Sequence, residues 1–143
     1  GCFSGGSVTA NGLKTGLYSM VQIDGGVLSF GTFDINGDVT IKGGVLDVSG
    51  IFYATFRSGI IDIRGGSLTV SNLHFDVSGT MNIYSENYDY NANDKILTGY
   101  LIEGSYFSIG EVSQSEYDSF NFIPEPATLL LLGFRGVLLR NRK

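Results

Sequence analysis

Apolar and polar residues alternate along three short stretches of the chain that nearly repeat one another. They are VQIDGGVLSF (21–30), VTIKGGVLDV (39–48) and IDIRGGSLTV (61–70). Each holds a Gly-Gly pair between two strand-like segments, and GGSVTA (5–10) is a weaker copy. Successive Gly-Gly pairs lie 20, 18 and 22 residues apart. A recurring period of this length is typical of repeat architectures.

The alternation predicts three strands in each repeat and the side chains that face inwards. In the first strand these are Val21/Ile23, Val39/Ile41, Ile61/Ile63 and Met81/Ile83. In the second they are Leu28/Phe30, Leu46/Val48 and Leu68/Val70, and in the third Phe33/Ile35, Ala54/Phe56 and Phe75/Val77. The outward positions carry Gln22, Thr40, Asp62 and Asn82, then Ser29, Asp47 and Thr69, then Asp34, Thr55 and Asp76.

Three short strands in about 20 residues match one coil of a parallel β-helix, or β-solenoid, an all-β fold in which each coil buries its apolar face against its neighbours. Equivalent residues would then stack, with Ile23 under Ile41, Ile63 and Ile83. The Gly-Gly pairs would form corners, where glycine tolerates a positive φ. The alternative is an antiparallel meander or sandwich, in which each Gly-Gly pair is a hairpin turn.

The repeat pattern divides the chain. A Gly-rich β-repeat domain is predicted for residues 1–113, with coils at about 5–83, a polar, acidic loop at 84–95 and capping strands at 96–113. Residues 114–123 are predicted to be a linker, and residues 124–143 form a distinct tail.

Composition and charge narrow the range of partners. Residues 1–123 hold five basic and thirteen acidic residues, a net charge of −8, so nucleic-acid binding is not expected. Cys2 is the only cysteine, which excludes an internal disulfide. Because the chain begins Gly1-Cys2 without an initiator Met or an apolar leader, we interpret it as a fragment that lacks its export signal.

The tail, IPEPATLLLLGFRGVLLRNRK (123–143), combines three elements in order. Pro124-Glu125-Pro126 holds the backbone extended. An apolar, helix-forming run follows, with Ala127, Leu129, Leu130, Leu131 and Leu132. Arg140, Arg142 and Lys143 end the chain and would remain on the cytoplasmic side of a membrane. The 13 residues 127–139 would make roughly 20 Å of helix, which suits a temporary anchor.

This tail resembles the PEP-CTERM sorting signal. The resemblance implies that an exosortase, a membrane-embedded cysteine protease, cuts near Pro124-Glu125-Pro126 and releases the body to the cell surface or matrix. In that reaction Glu125 is part of the substrate. The resemblance also implies an exported protein with a transient inner-membrane helix, often found in bacteria that make exopolysaccharide or biofilm matrix.

Residues with catalytic or metal-binding potential are few. His74 is the only histidine and is predicted to face outwards, so neither a zinc site nor a catalytic triad is expected. Asp89, Asn91 and Asn93 resemble the start of a calcium loop, but Asp94 replaces the glycine of the turn. Asp34 and Asp76 would share one face, with Thr55 between them in the stack.

Two hypotheses about function follow. The first is a non-enzymatic surface or matrix protein, without a cofactor, that acts as a rigid spacer or adhesive element. Its partners would be an exosortase and the membrane, with exopolysaccharide as a further candidate. The alternative is a polysaccharide-active β-helix enzyme, a lyase or glycosidase, whose active site lies outside these residues.

Overall fold

The computed structural model describes residues 2–14, 20–54, 59–75 and 79–124 of the chain. These residues form one 11-stranded sheet and a short helix. The strands are β1 (Cys2–Lys14), β2 (Met20–Asp34), β3 (Asp38–Ile41), β4 (Val45–Ala54), β5 (Ile60–Ile63), β6 (Ser67–Phe75), β7 (Thr80–Ile83), β8 (Asn87–Asn91), β9 (Ile96–Tyr100), β10 (Tyr106–Ile109) and β11 (Asn121–Phe122), and the helix is α1 (Gln114–Ser119).

The chain forms a parallel β-solenoid of about three turns, as the repeats predict. Strand β2 runs through Gly25-Gly26 and pairs in parallel with β3 before this corner and with β4 after it. The sheet is thereby folded into two parts. We call the part before the corners sheet A; it continues from β3 through β5 and β7 to β11. Sheet B is the part after the corners, and it continues from β4 through β6 to β10.

The predicted core columns are confirmed. In sheet A, Ile23 pairs with Ile41, Ile41 with Ile63, and Ile63 with Ile83. All four side chains are at most 2% exposed. A second column lies in sheet B, where Leu28, Leu46, Leu68 and Phe107 are in register and fully buried. Burial of a side chain of this size stabilises the fold by about 1.5–3 kcal/mol, so these columns contribute substantially to its stability.

The prediction of a separate third strand is wrong. The second and third segments of each repeat form one continuous strand, with a register shift between Phe30 and Thr32 in β2 and between Val48 and Ile51 in β4. Such shifts let a strand bend without ending its ladder. They also change the predicted stacking, because Phe33 pairs with Phe52 and not with Ala54.

The Gly-Gly pairs form the corners. The second glycine of each pair has a positive φ, as at Gly44 (81°) and Gly66 (86°), a conformation that suits glycine best. The first glycine is required for space, since a Cβ on Gly43 would lie 2.5 Å from the main-chain oxygen of Asp24 in the preceding coil.

An insertion after β7 ends the parallel stacking of sheet B. The interval 84–95, predicted as a loop, contains strand β8 and a turn at 92–95. Strand β9 pairs antiparallel with both β8 and β10, while β10 pairs in parallel with β6. The hairpin therefore covers the edge of the last coil with antiparallel strands.

Two glutamates complete this cap. Strand β10 is shorter than β6, and Glu116 of α1 reaches the uncovered end, where its carboxylate accepts hydrogen bonds from the Phe75 N–H (2.9 Å) and the Ser113 N–H (2.9 Å). The second bond closes a capping box at the start of α1. Glu103 accepts a bond from the N–H of Gly66, at the last Gly-Gly corner (3.0 Å). Helix α1 and β11 thus lie in the interval 114–123, where the sequence predicts a linker.

We expect Ile63→Ala to lower the free energy of unfolding by about 2–5 kcal/mol, because it leaves a cavity in the middle of a core column. Ile60→Ala, in the same strand but 43% exposed, should change it by less than about 0.5 kcal/mol. Urea unfolding followed by circular dichroism measures both. Equal effects of the two substitutions would contradict the inward phase of β5.

We expect Glu116→Ala to cost about 1–3 kcal/mol, because it leaves two partly buried main-chain N–H groups without an acceptor. Glu116→Gln keeps one acceptor oxygen and should recover part of this loss. Asp118→Ala, on the exposed side of the same helix, is the matched control. Thermal unfolding of the three variants provides the comparison, and a Glu116→Ala midpoint equal to that of Asp118→Ala would show that Glu116 is not a cap.

Candidate functional site

The outer face of sheet B carries a row of short polar side chains that crosses seven strands. Each is in register with the next, and on β2, β4, β6, β10 and β9 these positions alternate with buried residues of the same strand. In spatial order the row, called here the polar row, is Thr9, Ser29, Asp47, Thr69, Ser108, Thr98 and Asp89. At a strand spacing of about 4.8 Å, the six steps extend over roughly 29 Å. The row is long enough to contact several residues of an extended polymer.

The phase of the row follows from the packing beneath it. Leu28, Leu46, Leu68 and Phe107 occupy the positions next to it and point into the core. Because successive side chains on a strand point to opposite faces, the neighbouring Ser, Asp and Thr positions must point out. The sequence predicts this for Ser29, Asp47 and Thr69. It missed Thr9 and the extension through the insertion, although the alternation in ILTGY and YFSI contains the signal.

Two exposed tyrosines lie beside the polar row at the capped end. Tyr106 and Tyr100 are opposite each other on β10 and β9, and their rings meet edge to face with centroids 5.5 Å apart. They are 45% and 50% exposed. Tyrosine offers an apolar ring face together with a hydroxyl that forms hydrogen bonds. The pair is therefore suited to contact a ligand that has both apolar and polar surface, such as a sugar ring.

A shallow groove of about 250 Å³ lies at the other end of the row, where the strands bend. Its polar lining consists of Thr9, Asn11, Ser29, Asp47 and Ser49. Gly31 forms part of the floor, and a Cβ there would lie 2.7 Å from the main-chain oxygen of Asn11. Because Gly31 has no side chain, the two coils can approach each other closely at the bend, and no side chain from this position fills the groove.

The carboxylates of the row are far apart. Asp47 and Asp89 are separated by four strand steps, or roughly 19 Å. Paired carboxylates that hydrolyse glycosidic bonds lie about 5–9.5 Å apart. Among the described residues, no group of three His, Cys, Asp or Glu side chains could hold a metal ion. The row presents hydroxyl and carboxylate groups that can form hydrogen bonds, and its two carboxylates are too far apart to act together on one glycosidic bond.

The predicted stack of Asp34, Thr55 and Asp76 is wrong in its register. Asp34 pairs with Tyr53, and Tyr53 pairs with His74. Thr55 and Asp76 lie outside the described residues. His74 is exposed, as predicted, and its ring lies 5.3 Å from that of Tyr53. The error has the same origin as the missed strand continuity, because the sequence does not reveal where the register shifts.

The calcium-loop resemblance falls on β8 and the turn after it. Asp89 belongs to the polar row, and Asn91 ends the strand. The side-chain oxygen of Asn91 accepts hydrogen bonds from the main-chain N–H groups of Asn93 (3.0 Å) and Asp94 (3.1 Å). These two hydrogen bonds stabilise the turn, so Asn91 has a local structural role in this Asn-rich segment.

An aromatic cluster supports the cap beneath the insertion. Tyr117 stacks on Tyr90 at 4.3 Å, and Tyr88 stacks on Phe122 at 3.7 Å. Burial raises the pKa of the Tyr117 phenol, and the neighbouring Tyr88 and Asp118 raise it further. The cluster connects β8, α1 and β11, so it holds the two ends of the cap together.

Most of the predicted sorting signal lies beyond the described residues. Pro124 is the last residue described, directly after Ile123, whose N–H bonds to the Ile83 carbonyl oxygen (2.8 Å). Glu125, Pro126, the apolar segment with Ala127, Leu129, Leu130, Leu131 and Leu132, and the basic residues Arg140, Arg142 and Lys143 fall outside. No helix within the described ranges is long and apolar enough to cross a membrane.

Comparisons with known proteins found no family, no curated protein and no solved structure that matches this chain.

Proposed function

We propose that this chain is the structural and adhesive part of a protein exported to the cell surface or extracellular matrix. In this proposal the solenoid holds an extended polar face at a distance from the membrane. The tail directs export and is removed by an exosortase. The observation that carries the adhesive part is the polar row with its tyrosine pair, a continuous outer face supported by a rigid core.

The stacking of coils supports a role as a spacer. Main-chain hydrogen bonds join every coil to the next, as from Arg64 N–H to the Ile41 carbonyl oxygen (2.8 Å) and from Tyr84 N–H to the Ile63 carbonyl oxygen (2.9 Å). A solenoid of this kind is stabilised by contacts between neighbouring coils. Each coil is therefore held in place by its neighbours along the stack.

The chemistry of the outer face favours a polysaccharide as the adhesive partner. Hydroxyl and carboxylate groups at regular intervals can exchange hydrogen bonds with the hydroxyl groups of sugars. The rings of Tyr100 and Tyr106 can cover the apolar face of a sugar ring. The net charge of −8 over residues 1–123 disfavours strongly acidic polymers, so the proposed partner is a neutral or weakly charged polysaccharide.

Export rests on the sequence of the tail. The order of Pro124-Glu125-Pro126, an apolar run and a basic end resembles the PEP-CTERM signal, and this order is the support for an exosortase as partner. The short apolar run favours a temporary membrane anchor. A surface location also agrees with the polar, acidic exterior of the solenoid.

The adhesive role predicts that Tyr100→Ala combined with Tyr106→Ala weakens binding to a neutral polysaccharide at least tenfold, or about 1.4 kcal/mol. Co-sedimentation with insoluble glucans, chitin and the exopolysaccharide of the host measures this. Tyr53→Ala is the matched control, because Tyr53 is not part of the polar row and lies beyond the register shift of β4, where it pairs with Asp34 and His74. Failure of the unaltered protein to bind any of these polymers would overturn the adhesive proposal, as would equal binding by the double variant.

The same samples test the alternative enzymatic function. A non-enzymatic protein releases no new reducing ends and no unsaturated sugars from the polysaccharides. Saturable release of such products would replace the proposal with the lyase or glycosidase hypothesis.

The sorting proposal predicts cleavage at or near Pro124-Glu125-Pro126 in a host that has an exosortase. Mass spectrometry of the extracellular protein should then find a C-terminus close to Pro124 and no peptide that contains Arg140, Arg142 or Lys143. Glu125→Ala should leave uncut protein in the membrane fraction. Extracellular protein that ends at Lys143 would contradict the proposal.

A further inference from the structure

The charged side chains along the polar row are all of one sign. Asp47 and Asp89 are its two carboxylates, and among the described residues the outer face of sheet B carries no lysine or arginine along the row. Both side chains are exposed, and neither has an ion-pair partner in the part of the chain that the structure describes. The row therefore presents a negative potential to a ligand.

The basic residues of the described ranges lie elsewhere. Lys42 and Arg64 directly follow strands β3 and β5 of sheet A. Arg64 pairs there with Asp62 at 3.8 Å, on the outer face of that sheet. Lys14 ends β1, and Lys95 lies in the turn after β8. Sheet A thus holds basic and acidic groups side by side, whereas the carboxylates of sheet B are left for a partner to neutralise.

Exposed apolar groups follow the polar row on its corner side. Val45 is two residues before Asp47 on the same face of β4 and is in register with Val27; they are 39% and 46% exposed. Tyr106 and Tyr100 occupy the corresponding positions at the capped end. At about 3.3 Å per residue, these groups lie about 7 Å from the row. A ligand along the row would therefore meet hydrogen-bonding groups and apolar surface side by side.

We propose that the ligand of the polar row is a polysaccharide of amino sugars in which some amino groups are free and protonated. This inference rests on the proposed function, in which the row binds a polysaccharide, and it names the class. The chain lies along the row, across the strands. Its ammonium groups pair with Asp47 and Asp89, its hydroxyl groups bond to the serines and threonines between them, and its ring faces cover Tyr100 and Tyr106.

The distance between the two carboxylates favours a polymer over a single sugar. Asp47 and Asp89 are roughly 19 Å apart, so a monosaccharide reaches only one of them. A chain that carries several ammonium groups reaches both, and the second contact is strengthened because it is intramolecular.

The position of the row favours a sugar chain over a basic peptide. An extended peptide binds a sheet by adding a strand at its edge, through main-chain hydrogen bonds. The polar row lies on a face of the sheet, where a ligand meets side chains only. Rows of serine and threonine hydroxyl groups match the hydroxyl groups of a sugar chain.

The test compares soluble glucosamine oligosaccharides with the same oligosaccharides after N-acetylation, which removes the charge and keeps the chain. Isothermal titration calorimetry with the full chain, in a buffer that keeps the amino groups protonated, should give about tenfold tighter binding of the free amines, as expected of two exposed ion pairs. Added salt should reduce this preference. Oligosaccharides shorter than the roughly 19 Å between the carboxylates should lose most of it.

Substitutions of the two aspartates locate the effect. Asp47→Asn and Asp89→Asn should each weaken binding of the free amines about two- to fivefold, and the double variant should bind both oligosaccharides equally. Binding of the N-acetylated form should not change. Asp118→Asn is the matched control, because it removes one exposed carboxylate from helix α1, outside sheet B, and should keep the full preference.

The outcomes separate this inference from the proposed function. Equal binding of the two oligosaccharides by the unaltered protein, or a preference that survives in the double variant, would overturn the amino-sugar inference and leave the adhesive proposal standing. Binding of neither, together with failure to bind the other polysaccharides, would remove both. Polylysine that binds more tightly than the free amines, and equally well after Tyr100→Ala and Tyr106→Ala, would overturn the inference in favour of a basic peptide.

Discussion

The close approach of main chains at the Gly-Gly corners is the constraint on which the other features of this solenoid depend. A Cβ on Gly43 or Gly66 would lie 2.5–2.8 Å from main-chain atoms of the preceding coil, too close for any side chain. Because both residues of each corner are glycine, adjacent coils can keep the normal spacing of hydrogen-bonded strands around the turn. Sheet A and sheet B therefore remain in register on both sides of every corner.

The common register has opposite consequences inside and outside. Inside, it places equivalent apolar residues on one another, so that Ile23, Ile41, Ile63 and Ile83 form one column. Outside, it aligns Thr9, Ser29, Asp47 and Thr69 into a row. The same repeats that build the core also produce an extended surface of uniform chemistry. A binding face of this kind is a property of the stack and does not exist in a single coil.

The ends of a solenoid need a different solution, because the last coil leaves main-chain groups and apolar side chains without partners. Here the C-terminal end uses an inserted hairpin and two carboxylates. Strands β9 and β10 at this end carry Tyr100 and Tyr106, so the capped end also supplies the aromatic part of the proposed adhesive face. At the other end, β1 pairs only with β2 among the described residues.

The amino-acid sequence by itself determined the repeat, the inward residues of sheet A and of the first part of sheet B, and the glycine corners, and it favoured the parallel solenoid over the antiparallel meander. It could do so because alternation and period are local properties of the chain. Only the tertiary structure decided the continuity of the second and third strands, the pairing of Asp34 with Tyr53, the parallel pairing of β10 with β6, the hydrogen bonds of Glu116 in the cap, and the full length of the polar row. These features depend on register shifts and on contacts between residues far apart in sequence, such as Phe75 with Glu116, which leave no periodic trace in the sequence.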